Sequence, residues 1–401
     1  MSAVPSRVLS QLTAGAPFAF YRRSLAIDSP RYNLVTLSHL DERLDGMLTA
    51  LAEIPPAELG PALDTKTAGA ASVLTFLAAL QNNSSQVRAL AEAASASKRH
   101  RTEFLAAMEW LEPAYAQPFA KSLFESSDPA VSELGLAAHI FHNLIPSRDI
   151  EKALTHTQAS LRATAVRVIS QLGLLSLRDR GAASLEDEDD TVRFHAAAML
   201  ARCGATPSCI QVLQQFVETP GHFSEPAAFI LGMVMPSSEW VSWANPLARS
   251  TDHELFILRS AIGQGDSRVV PWFIEIMANS KLSHLAAEAF STFTGLNIAN
   301  EHFDLPSVKG KAGNELDNLP EPDIAKISNW WQIHQQEFPS GTRYFFGQPV
   351  TLEGLHHALV TANQRQRIWA SQLLGALYPN KAIFRVSAPA FRQKIRLGVA
   401  Q

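Results

Sequence analysis

Thirteen histidines occur in this chain of 401 residues, and two of them, His139 and His142, have the spacing of metal ligands. Residues three apart lie on one face of a helix, so two imidazoles at this spacing could bind one Zn²⁺ ion. No HExxH signature accompanies them, and no acidic residue has a predictable position beside them. We therefore expect packed or surface histidines, and we expect no metal or other cofactor.

The other residues that could do chemistry do not form a recognised catalytic pattern. His253-Glu254 is similar to the His-Glu pairs of iron hydroxylases, but those enzymes need several pairs in symmetric repeats and this chain has one. Cys203 and Cys209 are separated by five residues, which fits neither a redox CxxC pair nor a zinc knuckle. Gly-rich phosphate loops, GxSxG elbows and kinase signatures do not occur. We predict no catalytic residue and two reduced thiols.

The balance of charge gives no support to nucleic-acid binding. The formal net charge is -4, and the one dense basic run, residues 98–101, is too short to form a basic face. The densest acidic run covers residues 186–190 and precedes a predicted helix, whose N-terminus favours negative charge. This run is interpreted as a solvated capping loop, with an acidic rim for a basic partner as the alternative.

The elements that must position any site come from a repeated pattern in the middle of the chain. Residues 160–169 and 191–200 share an aliphatic residue, then an arginine, and a small residue four places after the aliphatic one. Each stretch predicts a helix. One such helix cannot bury its apolar face alone, so a stacked array of similar units is predicted. The arginines of the pattern, Arg162 and Arg193, are expected to pair with carboxylates in the turns.

The same register extends over about 190 residues with a period near 30. Its aliphatic or aromatic positions are Val131, Leu161, Val192, Phe223, Leu255 and Leu282, and its small positions are Gly135, Ala165, Ala196, Ala227 and Ala286, with Arg259 as the exception. A small residue at a fixed position lets neighbouring helices approach closely. The prediction is an all-α, HEAT-like α-solenoid of about six two-helix repeats over residues 105–295.

The flanks of the array differ from it. Residues 1–104 are predicted to form a helical N-terminal cap, including a helix that begins at Ser38 with Asp41 completing its cap. Residues 296–350 predict an irregular strap, in which turn residues precede a short helix with Trp330-Trp331 and an extended aromatic segment. Residues 351–401 predict a helical C-terminal region, with one helix from about residue 352 to residue 377.

The chain resembles an uncharacterised proteobacterial family of HEAT-repeat proteins whose genes often accompany type VI secretion spike and effector genes. The helical segments that carry this resemblance are residues 39–44, 106–111, 187–194 and 287–296. Its more specific motifs are Trp330-Trp331 and Gly341-Thr342-Arg343-Tyr344, followed by residues 347–350. The resemblance implies no reaction. It implies a protein partner: a spike component, an effector or another accessory protein.

Three functions are consistent with this sequence. The first is a cytoplasmic accessory or adaptor protein of type VI secretion that binds a spike component or effector. The second is a cytoplasmic immunity protein that clamps an effector, and the third is a HEAT-fold enzyme of the lyase or hydroxylase type. No apolar run approaches the roughly 18 residues of a membrane span, so we expect a cytoplasmic protein that contacts neither membrane nor nucleic acid.

A partner is expected on the concave face of the array, which the solvent-facing side of the second helices should line. The candidate residues, placed by register, are Arg167, His195, Ser224, Glu225, Phe256, Ser283 and Glu288.

Overall fold

The computed structural model describes residues 6–55, 59, 63–64, 66–142, 145–305 and 319–399. These residues form twenty-one α-helices and one two-stranded hairpin, so the all-α prediction is confirmed. No helix among them is long and apolar enough to cross a bilayer. The chain divides into two compact units, residues 1–172 with 385–401, and residues 173–384. The four segments expected from the sequence stay a prediction.

The first unit contains ten helices. They are α1 (Ser6–Ala26), α2 (Leu34–Ala52), α3 (Ala70–Leu80), α4 (Ser84–Ser95), α5 (Lys98–Trp110), α6 (Pro113–Phe124), α7 (Pro129–His142), α8 (Ser147–Leu154), α9 (Ala159–Leu172) and the C-terminal α21 (Ala390–Leu397). Trp110 joins Phe20 of α1 to Phe391 of α21 through edge-to-face ring contacts. Because of these contacts, the C-terminal helix is part of the core of this unit.

The second unit contains the remaining helices and the hairpin. They are α10 (Arg178–Ala182), α11 (Asp190–Arg202), α12 (Pro207–Glu218), α13 (Ser224–Val234), α14 (Ser237–Leu247), α15 (Glu254–Gln264), α16 (Val270–Ile276), α17 (Ser283–Thr294), α18 (Ile324–His334), β1 (Tyr344–Phe345), β2 (Gln348–Pro349), α19 (Leu352–Thr361) and α20 (Gln364–Leu377). The two strands are antiparallel, with Phe345 opposite Gln348.

Six consecutive helix pairs occupy residues 113–294, apart from residues 143–144, which lie outside the described part of the chain. Two pairs, α6/α7 and α8/α9, belong to the first unit, and four pairs, from α10/α11 to α16/α17, belong to the second. The small residues of the predicted register are all buried. At Gly135 a Cβ atom would lie 2.2 Å from the backbone nitrogen of Phe124, so the helices of that pair approach too closely for a side chain.

Three local predictions are corrected. Helix α2 begins at Leu34, where Asn33 and Thr36 form a capping box, and Ser38 and Asp41 are buried inside the helix. The single helix expected over 352–377 is two helices, because Asn363 caps the start of α20. The extended aromatic segment is a short hairpin. Most of the turn residues expected in the strap lie at 306–318, outside the described residues.

Candidate functional site

The second unit carries a patch of aromatic and imidazole rings on neighbouring helix pairs. We call seven residues the aromatic patch: His195, Phe216, His222, Phe223, Trp243, His253 and Phe256. Two of them, His195 and Phe256, are among the seven residues proposed from the sequence.

Stacked and edge-to-face contacts hold the patch together. The ring of Phe223 stacks on the buried Phe194 with centroids 4.4 Å apart, and it meets Phe216 edge to face at 5.5 Å. The His195 and His222 rings also lie against Phe223. The Phe223 side chain is half-buried, so these rings combine a packed base with an accessible surface.

The C-terminal end of α12 joins this cluster to the next helix pair. The Glu218 carboxylate accepts a hydrogen bond of 2.9 Å from Trp243 Nε1, and its backbone oxygen lies 3.3 Å from His253 Nε2. The ring of His253 in turn lies edge to face against Phe256. These bonds orient Trp243 and His253 and link them to α12 through Glu218, so the aromatic patch includes residues of three helix pairs, from α10/α11 to α14/α15.

A chain of ion pairs, buried at Arg259 and Glu288, lies against α20 in the second unit. Arg259 binds Glu225 at 3.3 Å and Glu288 at 3.0 Å, and Arg365 of α20 binds the other oxygen of Glu288 at 3.2 Å. The Arg259 guanidinium also lies 5.2 Å from the ring centroid of Trp369, another residue of α20. Because α20 supplies two of these contacts, it covers Glu288, whereas Glu225 stays exposed.

The expectation that all seven proposed residues face solvent is wrong for three of them. Ser224, Ser283 and Glu288 are buried. The hydroxyl of Ser224 donates to the backbone oxygen of Phe216 at 2.7 Å, and that of Ser283 donates to the carboxylate of Glu321 at 3.3 Å. Register predicts which residues of a helix share a face, but it does not predict what packs on that face. Here α20 covers Glu288, and the segment around Glu321 covers Ser283.

Arg167, the only proposed residue in the first unit, lies half-buried on α9. It is surrounded by charged residues of that unit, including Glu133, Arg101 and Arg385. Burial is the main cause that lowers its pKa.

The arginines of the repeated pattern close their own turns. Arg193 binds the carboxylate of Asp190, as expected, and donates to the backbone oxygen of Asp187 at 2.7 Å. Arg162 donates to the equivalent backbone oxygen, that of His156, at 2.9 Å. The repeated arginine is therefore a turn-closing residue, and Arg162 also donates to the backbone oxygen of Thr157 at 3.0 Å.

Sequence reasoning missed a set of arginines that cap the C-terminal ends of helices. Arg343 donates to the carbonyls of Met233 at 2.8 Å and Gln264 at 3.0 Å, which are the last turns of α13 and α15. Arg202 donates to Gly375 O at the end of α20, and Arg367 donates to Leu359 O at the end of α19. Unpaired carbonyls and the helix dipole both favour a cation at this position.

Burial lowers the pKa of each of these arginines, and it lowers that of the fully buried Arg367 to about 10. Arg367 therefore remains charged at neutral pH. Only Arg343 had a signal in the sequence, as part of the Gly-Thr-Arg-Tyr motif, and its partners are about 80 and 110 residues away.

The tryptophans of the strap pack inside the second unit. Trp331 is buried among Phe290, Phe293 and Phe338, and Trp330 stacks on His334 with centroids 4.2 Å apart. This arrangement agrees with a packing role for the Trp-Trp motif.

The histidine and cysteine pairs do not come together as sites. No group of three or more potential metal ligands occurs among the described residues. His139 is buried, and His142 lies 2.9 Å from the carbonyl of Met108, with a pKa that burial lowers. Cys209 is buried in the cap of α12, and burial raises the pKa of the Cys203 thiol. Both cysteines are free thiols.

Comparison of the chain with protein-family models, with curated proteins and with solved structures finds no match.

Proposed function

We propose that this protein is a binding scaffold of HEAT-like helix pairs and that its partner is another protein, which it binds through the aromatic patch. The family that the sequence resembles makes a type VI secretion spike component or effector the leading partner, met in the cytoplasm. The observation that carries the proposal is the patch itself, because half-buried rings on adjoining helix pairs resemble the core of a protein interface.

The patch has the features of an energetic hot spot. Trp243, His253 and Phe256 are partly accessible, so a partner can bury the remaining surface of rings that are already oriented. Ordering a side chain on binding costs about 0.5–1.5 kcal/mol, and a ring already held by hydrogen bonds or ring contacts avoids much of that cost. Tryptophan is among the residues most enriched at hot spots.

The first test is a native co-purification from cells that express the neighbouring genes, with mass spectrometry of the proteins that stay bound. We expect recovery of a spike component or effector by the wild type and loss of that protein with Trp243→Ala. Loss of one hot-spot side chain typically weakens binding by about 2 kcal/mol or more, roughly thirtyfold. Gln211→Ala, a change at an exposed position of α12 outside the aromatic patch, is the control and should retain the partner.

Recovery of the same partner by wild type and Trp243→Ala in equal amounts would remove the patch from the proposal. Recovery of no secretion protein at native salt would contradict the proposed partner.

A deletion strain distinguishes the adaptor from the alternative of an immunity protein. Loss of an adaptor reduces export of the effector, whereas loss of an immunity protein makes cells sensitive to their siblings. A Trp243→Ala strain should show the phenotype of the deletion in either case, because both roles need the same contact.

A further inference from the structure

Arg167 is a charged side chain without a hydrogen-bond partner in the described part of the chain. Its Nε atom is buried and makes no hydrogen bond. The rest of the side chain is partly accessible, so the guanidinium lies at the boundary between the interior of the first unit and solvent. Burying an N–H group of a charged side chain without a hydrogen-bond acceptor is costly, so an arginine in this state is unusual.

The nearest carboxylate is already used by other residues. Glu133 is buried, and its two oxygens accept hydrogen bonds from both Nη atoms of Arg101, one of them at 2.7 Å. The hydroxyl of Thr164 donates to the same carboxylate. Thr164 is three residues before Arg167 on α9, so Arg167 lies one turn beyond this ion pair on the same helix face.

A third arginine approaches from the C-terminal segment of the first unit. Arg385 binds Glu109 at 2.8 Å, and its guanidinium lies 4.5 Å from the ring centroid of Phe141 near the end of α7. The Glu133 charge favours the charged form of Arg167, while the positive charges of Arg101 and Arg385 both lower the Arg167 pKa. Arg167 is therefore close enough to two other guanidinium groups for their charges to act on it. Each of those groups already binds a carboxylate, Arg101 that of Glu133 and Arg385 that of Glu109.

We propose that Arg167, flanked by Arg101 and Arg385, binds the oxyanion group of a small molecule, a phosphate or a carboxylate. A guanidinium presents parallel N–H groups that match two oxygens of such a group, and these charge-assisted bonds are stronger than neutral ones. The anion supplies the hydrogen-bond acceptor that Arg167 lacks among the described residues, and it relieves the repulsion among the three arginines. This site is in the first unit, so the inference is independent of the aromatic patch.

The test is a calorimetric titration of the full-length protein with inorganic phosphate and, separately, with succinate. Sodium chloride holds the ionic strength constant in both. The variants are Arg167→Met and, as the matched control, Arg148→Met, which changes an arginine whose side chain is 86% exposed in the same unit. We expect the wild type and the control to bind one of the two anions equally, and we expect at least tenfold weaker binding by Arg167→Met. Binding of phosphate alone or of succinate alone identifies the class of ligand.

Thermal unfolding gives a second measurement, and a variant that fails to fold could not give the expected result. In chloride buffer Arg167→Met should unfold at the same temperature as the wild type or a higher one, because it removes a buried N–H group without an acceptor and a positive charge that Arg101 and Arg385 repel. With saturating anion the wild type should become the more stable of the two. If neither anion binds the wild type, or if Arg167→Met binds as tightly as the control, the proposal is wrong. If Arg167→Met does not fold, Arg167→Lys takes its place in both measurements, with the same two results counting against the proposal.

Discussion

Replacing Gly232 by alanine tests whether a glycine sets the distance between α13 and α15. A Cβ atom at this position would lie 1.8 Å from the backbone oxygen of Ser260 and 2.9 Å from the backbone nitrogen of Gln264. Ordinary contacts of a Cβ atom begin at about 3.4 Å, so the two helix backbones must separate by more than an ångström. No flexible side chain is available to move instead. The shift would also strain the 2.7 Å hydrogen bond from Trp240 Nε1 to Ser260 Oγ.

The magnitude follows from two opposing effects. Overpacking costs about 1–3 kcal/mol, and contact with backbone atoms favours the upper end of that range. Alanine gains about 1 kcal/mol over glycine inside a helix. The net destabilisation is therefore about 2 kcal/mol, which lowers the melting temperature of a unit of this size by roughly 4–8 °C.

Differential scanning calorimetry of the full-length protein measures this change, with Gly46→Ala as the matched control. Gly46 is also inside a helix, but nothing lies within 4 Å of its added Cβ atom. The control should be as stable as the wild type or more stable by up to about 1 kcal/mol. If Gly232→Ala melts with the control, the close approach of α13 and α15 does not depend on glycine and the reasoning fails.

Three further changes test the charged contacts of the second unit. Glu288→Ala should lower the free energy of unfolding by about 3–5 kcal/mol in urea denaturation, because it leaves Arg259 and Arg365 without their shared carboxylate. An equal loss in the exposed control Glu239→Ala would contradict this reasoning. Arg343→Met should cost about 2–3 kcal/mol in the same assay, and Arg343→Lys less, because a lysine reaches fewer of the carbonyls at the ends of α13 and α15. Asp266 has a pKa lowered to about 2 by hydrogen bonds from Arg268 and Ser237, which outweigh its burial. The wild type should therefore exceed Asp266→Asn in free energy of unfolding by at most about 2 kcal/mol above pH 4. This advantage should disappear as the pH falls through 2. An advantage that does not depend on pH would refute the lowered pKa of Asp266.

The helical class of the fold and the burial of the small residues are what the sequence predicts well, and the stacking of the helix pairs into a HEAT-like array stays a prediction. The period near 30 and the buried small residues, such as Ala165 and Ala196, follow from the geometry of helices that pack against their neighbours. Six helix pairs lie where the pattern placed six units, because each pair depends on contacts that are local in sequence. The start of α2 was missed because Asn33 caps the helix four residues before the first clear apolar repeat.

The candidate site was less predictable because it depends on contacts that are distant in sequence. Register placed Glu225 and Glu288 on one face correctly, since Arg259 joins them, but nothing in their neighbourhood indicates that Arg365 of α20 lies on that face. The aromatic patch was found only in part, through His195 and Phe256. Most of its other rings, such as Phe216 and Phe223, stand at helix ends, where a period of 3.6 residues no longer predicts direction.

The attachment of the hairpin to three helices limits how the chain can change in length. Arg343 binds the ends of α13 and α15, and the backbone nitrogens of Phe346 and Gly347 bind the carbonyls of Thr292 and Phe293 at the end of α17. An open-ended repeat protein can gain or lose a unit with little effect beyond the neighbouring ones. Here, deletion or duplication of one of these helix pairs would remove or displace an acceptor that the hairpin needs. Such indels should therefore be selected against between α13 and α17, and the number of pairs in this stretch should be constant among proteins that share the Gly-Thr-Arg-Tyr motif.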